Sequence, residues 1–158
     1  MPIRRREEYF ISGLLHDVGK VAIAGCFLDK YFEAIEKANN EEIPLFEAEK
    51  SVFNFDHQNV GLLITNHWRL EGGIKDAIGH HHDTDSYEGE YKTMVYAVCI
   101  ADYISMYLKI GNAGNTELIK PSDKVFEHLG ISLEEIAAAN EGLYAEIEKA
   151  RVFLNLSH

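Results

Sequence analysis

Apolar residues recur along this chain at helical spacing, in stretches separated by turn-forming residues. The first such stretch predicts a helix from about residue 5 through His16 and Asp17, ending near Gly19, with Phe10, Leu14 and Leu15 facing the core. Leu28, Tyr31, Ile35 and Ala38 predict a second helix over residues 27–39, closed by Asn39 and Asn40. A third follows Pro44 over residues 45–53, and Asn54-Phe55-Asp56 breaks it, with Asp56 placed to cap the next. That fourth helix carries His57, Val60, Gly61, Ile64 and Trp68 on one face, and Gly61 there admits a close neighbour. Gly72 and Gly73 open a short helix leading into the run His80-His81-His82, after which residues 83–89 read as an exposed polar loop.

Residues 91–110 form the longest apolar segment and predict a central helix. Val95, Val98, Cys99, Asp102, Ser105 and Met106 share one stripe of it, so Asp102 is the single charge on a face that should be buried. Residues 111–115 carry turn chemistry, and Pro121-Ser122-Asp123 opens a short helix. Ser132 with Glu135 makes a capping box for a last helix whose core face is Ile136, Leu143, Ile147 and Phe153. No stretch reads as a paired strand. The expectation is an all-α fold, one helical bundle over residues 1–158, since three prolines and no low-complexity tract leave no sign of a linker.

Composition narrows the class of partner. The formal net charge of -11 argues against general nucleic-acid binding, because a polyanion would be repelled. The short run Arg4-Arg5-Arg6 is explained by a solvated terminus. No apolar run reaches membrane-spanning length and no signal-peptide core precedes the first helix, so a cytoplasmic protein without a membrane partner is expected. Cys26 and Cys99 each lie in an apolar stretch and read as buried thiols rather than a disulfide framework.

The chemistry lies where polar residues interrupt those apolar faces. His16 and Asp17 end the first apolar run, and an unpaired buried Asp there would cost several kcal/mol or more. His57, the run His80-His81-His82-Asp83 and Asp102 are the candidates to join them. Each has a plainer explanation alone: His16 as a core histidine bonded to a backbone carbonyl, Asp17 as a cap or a partner of Lys20, His57 as an extension of the Asp56 cap, the histidine run as surface. Asp102 resists such an explanation. One metal centre built from four helices accounts for all of them together, and nitrogen and oxygen donors without thiolate suit iron, manganese, nickel or zinc, as one or two divalent ions.

Gly13-Leu14-Leu15-His16-Asp17-Val18-Gly19-Lys20 resembles the signature of the HD superfamily of metal-dependent phosphohydrolases. The closer resemblance is to HDOD domains, the HD-related output domains of bacterial signalling proteins. Residues 10–20 resemble their F..GLLHDIGK stretch. Glu49 followed by Asp56-His57-Gln58-Asn59-Val60-Gly61 and then Trp68-Arg69-Leu70 resembles their E…DH..VG…W.L segment. Ala77-Ile78-Gly79-His80-His81-His82 resembles AI..HH, which makes His81 and His82 the matched pair and His80 an extra. With the closing helices over residues 125–154, the resemblance covers residues 7–154.

The resemblance implies an HD-type helical bundle with His16, Asp17, His57, His81, His82 and Asp102 as metal ligands. It further implies Asp17 and Lys20 as the catalytic pair of an active member, Lys20 being the positive group beside a phosphate. Two departures weigh against activity. The family's upstream metal-binding histidine is missing, Glu7 and Glu8 standing there instead, so the site should be open on one side. The Gly-Tyr-Pro motif of related cyclic-dinucleotide phosphodiesterases is replaced after His82 by Asp83-Thr84-Asp85-Ser86-Tyr87. The reading is a metal-binding signal-transduction module acting through protein contacts; the alternative is a working phosphohydrolase acting on a nucleotide or another small phosphorylated molecule. The family's extra helices before the first one would cover Tyr9, Phe10 and Leu14, so self-association or a protein partner is expected on that surface.

Overall fold

The computed structural model describes residues 3–110, 114, 117–136, 138 and 142. It is all-α, with no strand among these residues. The helices are α1 (Ile3–Leu15), α2 (Val18–Cys26), α3 (Leu28–Glu41), α4 (Leu45–Phe53), α5 (His57–Trp68), α6 (Gly73–His80), α7 (Lys92–Tyr107) and α8 (Asp123–Leu129). None of them is long and apolar enough to cross a membrane. A further helical turn opens at Leu133 under the expected capping box: the Ser132 N–H donates to Glu135 Oε2 at 2.8 Å and the Glu135 N–H to Ser132 Oγ at 3.2 Å. Leu143, Ile147 and Phe153 lie outside the described residues, as do Gly111 and Asn115.

Most boundaries stand where turn chemistry puts them. Asp56 caps α5 by accepting the Asn59 N–H at 2.9 Å, while Asn59 Oδ1 accepts the Asp56 N–H at 3.0 Å, and Asn54 ends α4 in the left-handed region. The expected single helix over residues 5–19 is instead two. α1 stops at Leu15, the chain turns at His16 and Asp17, and α2 begins at Val18. Gly19 and Gly25 make α2 a poor helix by propensity. Packing supplies what propensity lacks, because a Cβ at Gly19 would lie 2.0 Å from the His57 carbonyl oxygen. α2 therefore sits flush on the start of α5. α5 and α6 meet as closely, a Cβ at Gly61 falling 2.5 Å from Ile78 Cγ2.

The apolar core lies in three clusters around these contacts. Ile23, Tyr31, Ala38, Leu45 and Ala48 join α2, α3 and α4. Ala77, Met94 and Val98 join α6 and α7, with Tyr9 packed on them. Val95, Tyr96, Ile100, Val125 and Phe126 join α7 and α8, and Tyr87 inserts among them. That insertion corrects the reading of residues 83–89 as exposed: Thr84 and Tyr87 are both buried, and the Thr84 carbonyl accepts the Tyr96 hydroxyl at 3.2 Å.

Two further expectations are corrected. Phe10 and Leu14 do not face the core; they are 70% and 68% exposed. The inward face of α1 runs through Tyr9 and Ser12, the residues that precede His16 by about two turns and one, and Ser12 donates to Met94 Sδ at 3.2 Å. Bringing His16 inward turns the Phe10–Leu14 stripe outward. Cys26, the last residue of α2, is exposed rather than buried, and Cys99 is partly buried.

Candidate metal centre

His16 and Asp17 occupy the turn between α1 and α2, His57 is the first residue of α5, His81 and His82 follow the end of α6, and Asp102 lies on the inward side of α7. α1 packs on α6 and α7, and α2 on α5, so all six side chains meet. His57 and His81 are fully buried. Asp17 Oδ1 lies 3.4 Å from His57 Nε2 and 3.8 Å from His81 Nε2. His16 Nε2 lies 3.3 Å from Asp17 Oδ2 and 3.6 Å from Asp102 Oδ1. Two overlapping ligand triads result, His57-His81-His82 and His16-Asp17-His81, each with its donor atoms within 4.8 Å of one another. His81 belongs to both.

The plainer explanations hold for one atom of each side chain and leave the other. His16 Nδ1 donates to the Gly13 carbonyl at 2.8 Å, as a core histidine would, but Nε2 is buried with no hydrogen-bond partner among the described residues. Asp17 Oδ2 accepts Lys20 Nζ at 2.8 Å, while Oδ1 is buried and equally unsatisfied. His57 Nδ1 donates to Glu49 Oε2 at 2.6 Å, and His81 Nδ1 faces the Ala77 and Ile78 carbonyls, both at 3.1 Å. Acceptors therefore hold a proton on Nδ1 in all three rings and leave each Nε2 turned toward the cluster. His57 Nε2 and His81 Nε2 face each other at 3.4 Å, and Asp17 Oδ1 faces both.

The electrostatics differ from ring to ring. Burial, followed by the charges of His57 and His16, pushes His81 down to about 3, so its lone pair stays free at ordinary pH. Burial and then His81 push His82 down in the same sense. Burial would also lower His16, yet Asp102 and Asp17 outweigh it and raise it to about 10. Burial would raise Asp17, but the nearby His16 and the charge of Lys20 hold it well below the usual carboxylate range. A proton on His16 Nε2 answers Asp17 and Asp102; a divalent cation answers those carboxylates and the imidazole lone pairs at once.

Supporting residues fix the ligands. The His82 N–H donates to Gln58 Oε1 at 2.9 Å, and its ring stacks on Phe46 with centroids 4.7 Å apart. Lys20, in the first turn of α2, is drawn into an ion pair with Asp17 at 2.8 Å, as one of the plainer explanations expected. Glu49 and Gln58 fall in the resembled family segment but were given no role there. The available signal was their burial on helix faces shared with Ala48 and with His57 and Gly61. His80 packs against Tyr87 away from the cluster, His67 is exposed, and His128 pairs with Thr93 Oγ1 at 2.9 Å. A cleft of about 160 Å³ reaches the cluster, walled by His57, His81, His82, Cys99 and Asp102 on one side and by residues 117 and 119–122 on the other.

Comparison with known proteins gives three matches. The family model of the HDOD domain matches residues 1–84. The crystal structure of an HDOD domain protein with unknown function from Geobacter sulfurreducens superposes with a TM-score of 0.71 at 26% identity, covering 90% of this chain and 52% of that one. An uncharacterized protein of Treponema pallidum (strain Nichols) is 23% identical over 101 residues, which are 64% of this chain and 20% of the relative. The chain thus spans about a fifth of the curated relative and about half of the structural one.

Proposed function

Since this chain belongs to the HDOD domain family, we propose that it is a divalent-metal-binding signalling module that works through protein contacts rather than a phosphohydrolase. The observation that carries the metal reading is the pair His57 Nε2 and His81 Nε2, facing each other at 3.4 Å with both Nδ1 atoms already committed. Such a pair is repulsive unless a proton or a cation lies near it; a proton answers one lone pair, whereas a divalent cation answers both together with the Asp17 carboxylate that faces them. The donor set, imidazole and carboxylate without thiolate, fits iron, manganese, nickel or zinc. His16, Asp17, His57, His81, His82 and Asp102 would hold one or two ions, His81 standing where the two triads overlap.

The cleft favours the second reading, because it gives a small phosphorylated molecule a way in. A divalent ion held by these ligands would supply a Lewis acid for a phosphoryl oxygen and would lower the pKa of a water beside it. What argues against turnover is the charge of the walls. Of the two lysines lining the cleft, Lys20 pairs with Asp17 and Lys120 with Asp123, each within 2.9 Å. Asp85, Asp102 and Glu117 line it as well, and no arginine does among the described residues. Phosphoryl transfer depends on positive charge meeting the transferring group. The surface proposed for a protein contact is α1, because Phe10 and Leu14 stand outward there one turn apart beside Gly13.

The test is hydrolysis of nucleotides and cyclic dinucleotides with iron or manganese added, for which slow or no turnover is expected. Robust metal-dependent hydrolysis, abolished by His16→Ala or Asp17→Ala, would promote the enzyme reading.

A further inference from the structure

One buried charge has no place in the ligand set. Glu49 is 0% exposed, on the face of α4 that also buries Leu45 and Ala48. An apolar residue there would avoid the desolvation cost of a carboxylate, several kcal/mol when poorly compensated. Its contacts show what it is for. One oxygen, Oε2, accepts both the ring Nδ1–H of His57 at 2.6 Å and the His57 backbone N–H at 2.8 Å. The first contact fixes the ring's tautomer and rotation; the second sets the carboxylate on the N-terminus of α5, where its charge is favourable.

Resting on the metal reading above, we propose that Glu49 is the positioning residue of the site: by holding the His57 proton on Nδ1 it keeps Nε2 bare and aims it at Asp17 and His81. His57 needs such a partner more than the other two rings do. His16 and His81 are oriented by carbonyls of their own local chain, three or four residues back, whereas His57 begins its helix and has no preceding turn to bond. The carboxylate from α4 supplies the acceptor that local structure cannot. A merely structural Glu49 would tie α4 to α5 through the backbone N–H alone, and the ring contact would be incidental.

Glu49→Gln in the full chain, without a polyhistidine tag, separates these. In metal-free protein, ¹⁵N shifts of the His57 ring should report a bare Nε2 in the parent and a mixture of tautomers in the variant. Zn²⁺ affinity, measured by competition with a chromophoric chelator, should fall about 10–100-fold, with little change in the metal-free melt. Glu49→Asp, which keeps the charge, should recover part of both signals, and it serves if the Gln variant folds poorly. An unchanged tautomer with parental Zn²⁺ affinity in Glu49→Gln would overturn the proposal and leave Glu49 a helix tie. If the parent itself bound neither Zn²⁺ nor iron, manganese or nickel, the metal reading would fall, and the ¹⁵N comparison alone would still decide the role of Glu49: tautomer lost supports it, tautomer kept overturns it.

Discussion

Gly19→Ala tests whether the seating of α2 on α5 builds the site. The added Cβ would lie 2.0 Å from the His57 carbonyl oxygen, 2.8 Å from its carbon and 3.0 Å from its Cα. All three are backbone atoms of a helix start that Asp56 and Glu49 already hold, so no side chain can swing aside. Overpacking costs about 1–3 kcal/mol where side chains can adjust, and a rigid obstacle belongs at or above the upper end. Better helix propensity returns about 0.5–1 kcal/mol. The net loss is about 2 kcal/mol or more, a fall in Tm of about 4–8 °C for a chain of this size. Relieving the clash separates α2 from α5 and draws Asp17 Oδ1 from His57 Nε2, now 3.4 Å away, so metal affinity should fall with stability. Gly13→Ala and Gly25→Ala are the controls: both sit in helices with nothing within 4 Å of the new Cβ, and each should raise Tm by about 1–4 °C. Thermal melts in chelator, paired with a metal titration, make the comparison. A Gly19→Ala protein that melts and binds metal like the parent would refute the reasoning.

Three other outcomes are expected. In metal-free protein His16 is raised to about 10 from 6.5, so its pairing with Asp102 and Asp17 stabilises the fold fully below the unfolded value and is lost as pH climbs towards the folded one. Asp102→Asn should therefore cost on the order of 1 kcal/mol near pH 6 in chelator and almost nothing near pH 10, read from melts at the two values. A thiol reagent at mild alkaline pH should modify exposed Cys26 promptly and Cys99 only on unfolding, since burial and then Asp102 and Asp85 push Cys99 up to about 12; two fast thiols would contradict this. Phe10→Glu with Leu14→Glu should abolish self-association in sedimentation, whereas a parent that is monomeric at high concentration would remove α1 as a self-contact.

Helix boundaries were legible where a residue has one good local use. Pro44, the Asp56–Asn59 box and Gly72 mark their turns by chemistry that survives in the fold. α2 was not legible, because its glycines argue against a helix and what holds it is the carbonyl of a residue far along the chain. Periodicity found a stripe at Phe10 and Leu14, but spacing alone does not say which stripe turns inward; the need to present His16 chose the Tyr9–Ser12 face. Tyr87 was hidden by its acidic neighbours in a stretch that looks solvated. The ligand residues stood out as charges and imidazoles interrupting apolar runs. Glu49 stood out only as a letter of the resembled segment and not by its chemistry, since a charge between Glu47 and Lys50 is ordinary on a helix and only burial makes it unusual.

The most direct measurement of the central claim is elemental analysis of protein purified without a polyhistidine tag, beside its His81→Ala variant. His81 is shared by both triads, so its loss disables either site. The account predicts iron, manganese, nickel or zinc at one or two ions per chain in the parent and little metal in the variant. A parent that carries no stoichiometric metal and takes up none of the four, or a variant that retains the parent's metal, would contradict it.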